Sequence, residues 1–453
     1  MELYRKIYEK LVAWKRADAG RSSLLIEGAR RIGKSTIAEK LGKEEYKSYI
    51  LVDLSIASKS VISNFENNLN DLDRFYQALS LEYGVQLYRR ESLIIFDEIQ
   101  KYPKAREATK HLVADGRYDI LSTGSLISIK ENVENIVIPS EEKKIKMYPL
   151  DFEEFLMASG EQVLLNYIRE CYKNKVALDE RFHAKAMRLF EEYIIVGGMP
   201  QSVVAFLENG RDFYRAYEEK NRILELYRDD IRKAAKKYNS KVSAIFENIP
   251  GYLSTHEKKV ILRRIKGNSF SDYDEPLFWL GDSMICNLCY KCTDPNVGFS
   301  LNKDDSAVKC YMGDTGLLLN LAFSENEIAS INLYKQLIDG KLSINKGMFY
   351  ENVIAQELTA KGKQLYFYTH YSDEKKRNDI EIDFMLSNDS KTNIKVFPVE
   401  VKSSKNYTKI SYDRFKERFG KRIGESYIIH PKTYKKDETG YRVPAYMIFC
   451  MFE

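Results

Sequence analysis

The chain has only six cysteines, five histidines, two tryptophans and ten prolines in 453 residues, and it lacks any long uninterrupted apolar run. Six scattered thiols cannot build a disulfide framework; they fit a reducing compartment, with the cytoplasm as the expected location. The histidines, His111, His183, His256, His370 and His430, are dispersed and form no metal-ligand spacing. The N-terminal stretch MELYRKIYEKLVAWKRAD carries charges throughout. Neither it nor any later segment reads as a signal peptide or a membrane span, so no membrane partner is expected. Net charge is also nearly missing: 71 Lys+Arg against 66 Asp+Glu leave +5. The surplus is local, because residues 341–453 hold 21 basic and 15 acidic side chains, 21 − 15 = +6. Such a basic end is compatible with nucleic acid, and also with a solvated lysine-rich surface.

What is present is the balance of a globular protein that buries a sizeable core, 44% hydrophobic and 30% charged, over a length that suggests two to four domains. Leu3, Ile7, Leu11 and Trp14 recur at helical spacing, with Gly20 as a stop. The apolar runs SSLLIEG (22–28), SYILVDL (48–54), SLIIFDE (92–98) and YDILSTG (118–124) alternate with helical segments, which predicts a parallel sheet covered by helices. From about 150 to 240 the pattern is helical, broken by VGGMP at 196–200. Residues 241–330 carry short helical stretches, SAIFENI and LFWLGDSMICNLCY, then KCYMGDTGLLLNL, and suggest a winged-helix-like module. Beyond 346, GMFYENVIAQELTAK reads as an amphipathic helix, and QLYFYTH, IEIDFML and VFPVEVK as strands of a mixed sheet. The expected fold class is α/β, divided as 1–155, the parallel-sheet domain; 156–240, a helical lid; 241–335, the winged-helix-like region; and 336–453, a second α/β domain.

GARRIGKS (28–35) fits G-x-x-x-x-G-K-[ST], with a strand before it and a helix after. Gly28 and Gly33 let the backbone turn tightly enough for successive amides to face one phosphate, and the following helix adds its N-terminal dipole. The loop Gly28, Ala29, Arg30, Arg31, Ile32, Gly33, Lys34, Ser35 and Thr36 is therefore the candidate ATP cradle. Lys34 would reach the β- and γ-phosphates, and Ser35 would ligate Mg2+. About 60 residues on, LIIFDE (93–98) delivers Asp97 and Glu98 at the end of an apolar strand, where ligands sit in open α/β sheets. Asp97 is the expected magnesium partner and Glu98 the general base for the attacking water. An Asp-Glu pair after a strand also serves as an ordinary helix cap; the loop upstream favours the catalytic reading. YDILSTGS (118–125) ends in hydroxyls, making Ser125, with Thr123 second, the candidate γ-phosphate sensor.

GARRIGKST, LIIFDEIQ and STGSL, followed in order by MYPLDFEEFL, VGGMP and KCYMGDTGLL, resemble a family of prokaryotic AAA-type ATPases with a C-terminal domain of unknown function. The resemblance covers about residues 5 to 405. It implies an AAA-like ATPase core, a winged-helix region and a terminal domain similar to restriction endonucleases of the PD-(D/E)xK type. Members of such ATPase classes often take an arginine from a neighbouring copy, so a homo-oligomer is an open expectation; Arg30, Arg31 and Arg228 are candidates among which the sequence does not choose.

Nucleases of that fold hold one or two divalent metals between an acidic residue on one strand and E-x-K on the next. IEIDF (380–384) and, 17 residues on, PVEVK (398–402) offer this pattern. Glu400 and Lys402, two apart on a strand, project to one face. Asp383 would be the second ligand, and Glu351 resembles the helical acid that completes such a site. The expected set is thus Glu351, Asp383 and Glu400 for a second Mg2+ or Mn2+, with Asp383, Glu400 and Lys402 in catalysis. Alternating charge on a solvated strand produces E-x-K as well. CNLCYKC (286–292) places three thiols at C-x-x-C-x-x-C, with Cys310 the one close candidate for a fourth ligand. The same spacing sets Cys286 and Cys289 on one helix face beside Ile285 and Leu288, which predicts buried thiols instead. Two functions remain open at this point: an ATPase that positions a metal-dependent DNA nuclease, or a nucleotide-gated switch whose C-terminal domain only binds nucleic acid or protein.

Overall fold

The computed structural model describes the chain except residues 19, 126–139, 236–237, 256–270, 297, 324–335, 337–345, 375, 388–394, 439 and 452–453. Two expectations reach outside the described residues: the domain boundary at 335, and parts of the winged-helix-like region. The chain forms two compact units, one of residues 5–148 with 282–284, the other of residues 1–4, 149–281 and 285–453.

The first unit begins with α1 (Ile7–Asp18), whose Ile7, Leu11 and Trp14 are buried as their spacing predicts. It continues through β1 (Ser23–Glu27), α2 (Lys34–Glu45), β2 (Ser48–Asp53), α3 (Lys59–Asn67), α4 (Leu72–Tyr83), β3 (Ser92–Asp97), α5 (Pro103–Asp115), β4 (Asp119–Gly124) and β5 (Glu142–Lys146). The five strands are parallel, in the order β2-β3-β4-β1-β5. β1, β3 and β4 are buried at every position, so they read as continuous apolar runs rather than alternating ones. Phe65, Phe75 and Phe96 meet edge to face in the core on one side, with centroids 5.2 and 5.5 Å apart. β5, EKKIK, escapes the sequence reading because it has no apolar run; as an edge strand it faces solvent with lysines, the usual protection of an open edge. Arg106 pins this edge strand through a buried ion pair with Glu142.

The second unit opens with helices Phe152–Ala158, Gln162–Asn174, Glu180–Val196, Pro200–Glu208 and Phe213–Ala234, matching the helical pattern of 150 to 240. VGGMP does break the chain there: Gly197 is left-handed in φ at +77° and Pro200 starts the next helix. Its role extends beyond the break. Asp314 of the GDTG segment accepts from the Gly198 amide and from Leu317 N (3.0 Å), and a Cβ on Gly316 would come within 2.7 Å of Gly197 Cα. Two motifs more than 100 residues apart thus form one close-packed joint.

Two mixed-direction sheets follow, β7-β6-β8-β9 and β10-β11-β12-β14-β13, built from β6 (Cys286–Cys292), β7 (Lys303–Met312), β8 (Leu365–Ser372), β9 (Arg377–Ile382), β10 (Phe384–Ser387), β11 (Val396–Val401), β12 (Ser426–His430), β13 (Lys435–Asp437) and β14 (Gly440–Pro444). Two expectations are corrected here. CNLCYKC is the strand β6, not a helix; β6 pairs antiparallel with β7 and parallel with β8. Its three-residue cysteine spacing imitates a helical face, but ladder pairing on both sides wins. The thiols are buried and free, as expected. The helix Lys346–Ala360 is not amphipathic, because every residue from Met348 to Leu358 is buried. Its polar side chains find partners inside the protein: Asn352 bonds both N and O of Met312 (2.8 and 3.1 Å), Gln356 takes Thr315 N (2.9 Å) and donates to Tyr193 Oη (2.9 Å), and one oxygen of Glu357 accepts from Phe152 N (2.7 Å).

Candidate functional site

The strand order decides the geometry of the phosphate loop. β4 lies between β1, which feeds the loop, and β3, which ends in Asp97, so the end of β4 sits between them. The Ser35 hydroxyl donates to the Asp97 carboxylate, 2.7 Å from Oδ1 and 2.8 Å from Oδ2. Thr123 donates to Asp97 Oδ1 and accepts from Glu98 N at 3.3 Å. Of the two sensor candidates, Thr123 is therefore the one that locks the carboxylate pair in place. Ser125 is half-buried just past β4.

Gly33 takes a left-handed φ of +91° at the start of α2, a conformation glycine adopts without strain. Arg31 and Glu98 do the same at +67° and +53° without that freedom, so each of the two segments that would flank a phosphate holds one strained residue. Lys34 is buried, its ammonium donating to Gly28 O (3.0 Å) and Ala29 O (2.8 Å). Gln100 holds the half-buried Glu98 carboxylate by donating to it. Arg30 is half-buried, and Arg31 and Thr36 are exposed. Ser35 and Asp97 are adjacent oxygen donors, a set that suits a hard Mg2+ ion.

Sequence reading missed Arg5. Its buried guanidinium donates to Ile32 O in the loop (2.9 Å) and to Tyr148 O (2.6 Å). The Met147 amide donates to Glu27 O at 2.8 Å, and a Cβ on Gly28 would lie 2.5 Å from Met147 O. Met147 and Tyr148 are thus the wall against which the loop is set; an arginine 23 residues upstream of Gly28 gave no local signal.

The C-terminal carboxylates lie in the second unit. Asp383 falls at the bend between β9 and β10, where the chain changes sheets, and accepts from Val401 N (2.9 Å). Glu400 is buried, with Lys402 Nζ 2.8 Å away. Burial pushes the Glu400 carboxyl above its ordinary value, and nearby Asp383 adds to this, although Lys402 pulls it back. Glu351 is paired differently: it accepts from Lys309 Nζ at 3.0 Å and from the Tyr311 hydroxyl. Lys309 and Tyr311 stand two apart on β7 and face the same way. Lys309 is fully buried, with its ammonium also 3.7 Å from Asp383 and 3.8 Å from Glu381. Burial works against that charge, but Glu351, Asp383 and Glu381 outweigh it and raise the lysine pKa. Two of the three acids expected for a second metal, Glu351 and Asp383, are therefore brought together around an ammonium, while the third, Glu400, pairs with Lys402. Among the described residues no group of three or more His, Cys, Asp or Glu is placed to hold a metal ion.

Residues 20–156 match the AAA domain family, residues 187–327 a domain of unknown function (DUF8612) and residues 346–447 a domain of unknown function (DUF4143). The phosphate loop and its two acidic partners thus fall within a segment that is similar to AAA domains. No curated protein matches it. Similar solved structures include C. elegans PCH-2 (15% identity, 48% of this chain and 65% of that one, TM-score 0.23), AMPPCP-bound DnaA from Aquifex aeolicus (10%, 80% and 95%, TM-score 0.26) and the S. cerevisiae Hsp104–ADP complex (11%, 80% and 45%, TM-score 0.29). Likenesses at these scores carry no argument about the site. Among the described residues no helix is long and apolar enough to cross a membrane.

Proposed function

We propose that the protein binds ATP with Mg2+ and hydrolyses it, and that it acts on or with nucleic acid. One contact carries this reading: Ser35 of the loop sits within 2.8 Å of both oxygens of Asp97, uniting the phosphate loop with the acidic strand end. Ser35 and Asp97 would hold a magnesium ion, which would supply neutralisation of the phosphate charge. The loop amides would receive the phosphates, and Lys34, whose ammonium donates to Gly28 O and Ala29 O, would offer it to the β- and γ-phosphates. Glu98, oriented by Gln100, takes a proton from the attacking water. Thr123 keeps Asp97 and Glu98 in register. Arg30, Arg31 and Arg228 remain the candidates for an arginine supplied to a second copy.

The nucleic-acid part is supported by the basic surplus of residues 341–453. In functional anatomy, residues 1–155 are the motor, 156–240 a helical lid, 241–335 a winged-helix-like grip and 336–453 a restriction-endonuclease-like domain. Of the two roles for that last domain, binding without cleavage is favoured by Lys309, whose ammonium stands among the acids a nuclease would need for metal.

ATP turnover and nucleotide affinity of the parent and Lys34→Ala test the first claim: both fall in the variant, and unchanged values overturn it. Incubation with several DNA forms, Mg2+ or Mn2+ and ATP tests the second: cleavage by the parent that Asp383→Ala abolishes would replace the binding role with a nuclease.

A further inference from the structure

Three carboxylates of the second unit converge on one nitrogen: Glu351 at 3.0 Å, Asp383 at 3.7 Å and Glu381 at 3.8 Å from Lys309 Nζ. That nitrogen belongs to a fully buried side chain fixed on β7, with the Phe367 ring 5.1 Å from it. Tyr311, also fully buried, takes a further lone pair of Glu351, and Val401 N takes one of Asp383. Glu400 has its own partner in Lys402.

A divalent ion would meet an ammonium already placed among Glu351, Asp383 and Glu381, and at Glu400, whose buried oxygens make no hydrogen bond among the described residues, a second ammonium from Lys402. Mg2+ requires near-octahedral oxygens at about 2.0–2.1 Å, whereas these oxygens are spread around an ammonium at contact distances typical of an ion pair. To enter, the ion would have to displace a cation covalently tied to the strand, or sit beside it and be repelled. We infer that Lys309 is the permanent counter-ion of the C-terminal acidic centre and that this centre takes no divalent metal in the folded protein. The restriction-endonuclease-like pattern Glu351, Asp383, Glu400, Lys402 has then become an internal electrostatic staple joining β7, the helix Lys346–Ala360, the β9–β10 bend and β11. Hydrolysis of ATP is left as the one metal-assisted chemistry the described sites support. The inference concerns the second unit alone and stands or falls independently of the ATP site.

The test uses the full chain carrying Ser35→Ala, so that the phosphate loop contributes no metal ligand from that hydroxyl, and Mn2+ alone as the probe, with binding followed by electron paramagnetic resonance and thermal unfolding recorded in parallel. With Lys309 intact, no bound Mn2+ should depend on Asp383, so adding Asp383→Asn leaves the bound fraction unchanged. Lys309→Met, which keeps the stem and removes the charge, lowers the unfolding midpoint on the order of 10 °C. Bound Mn2+ that disappears with Asp383→Asn overturns the inference, whether or not the Lys309 variant folds. A Lys309→Met chain that melts with its parent overturns it as well, since a staple cannot be removed without cost.

Discussion

Asp97 and Asp383 both follow strands and both accept hydrogen bonds from neighbours, yet they are built for opposite ends. Asp97 is held by hydroxyls, Ser35 and Thr123, which are neutral. Its charge is still available, and a cation that displaces those donors gains a full carboxylate. Asp383 is held by a backbone amide and lies beside an ammonium that cannot leave. Two acidic strand ends in one chain thus differ in whether the counter-charge is exchangeable. Exchange is what a nucleotide cycle needs; permanence is what a core needs.

The largest effect that would sharpen this contrast is Lys309→Met. Stranding buried carboxylates costs about 3–5 kcal/mol, read as a lower urea midpoint; a loss below 1 kcal/mol would break the permanent side of the comparison. On the exchangeable side, Lys34→Ala should lower kcat/KM for ATP about 10²–10³-fold, as expected for loss of one preorganised donor, while Glu98→Gln slows phosphate release assays comparably and keeps nucleotide affinity. Equal loss of affinity in both variants would assign Glu98 to binding instead. Arg5→Ala leaves Ile32 O and Tyr148 O without their donor, at about 1–3 kcal/mol. It should appear as weaker nucleotide binding with kcat little changed, and a fall in kcat alone would move Arg5 out of the positioning role.

The smallest effect is a pH dependence confined to the second unit. Burial lowers the pKa of His430, beside Tyr407, to about 4, against about 6.5 in an unfolded chain. Between those values the unfolded chain binds more protons than the folded one, so stability falls as pH drops from 6.5 toward 4. His430→Gln should flatten that slope in urea titrations; an unaltered slope would place the acid sensitivity elsewhere.

How far each region could be read in advance follows the same division. The phosphate loop, Asp97 and Glu98 are contiguous words in the sequence, because a tight glycine loop and a strand end are local structures. Nothing local says which hydroxyl of STGS faces Asp97; the β3–β4 register brings Thr123 there. Arg5 and the wall of Met147 and Tyr148, and likewise Lys309 and Tyr311, act on residues distant in sequence. Lys309 was in view only as part of KCYMGDTGLL, with no hint of its partners. The Lys346–Ala360 helix looked amphipathic because its polar residues alternate with apolar ones, and only its burial shows that those polar groups point at other protein groups rather than water.

The sequence by itself determined the α/β character of the first 150 residues, the phosphate loop with its acidic partners, and the four positions Glu351, Asp383, Glu400 and Lys402. These follow from periodicity and short-range turn chemistry. Tertiary structure alone decided that β4 lies between β1 and β3 and brings Thr123 to Asp97, that the cysteine run is a strand, and that a lysine from β7 arrives among the C-terminal carboxylates. Each of those depends on which distant segments pack together, and the electrostatics of a buried charge are set by the partners that packing delivers.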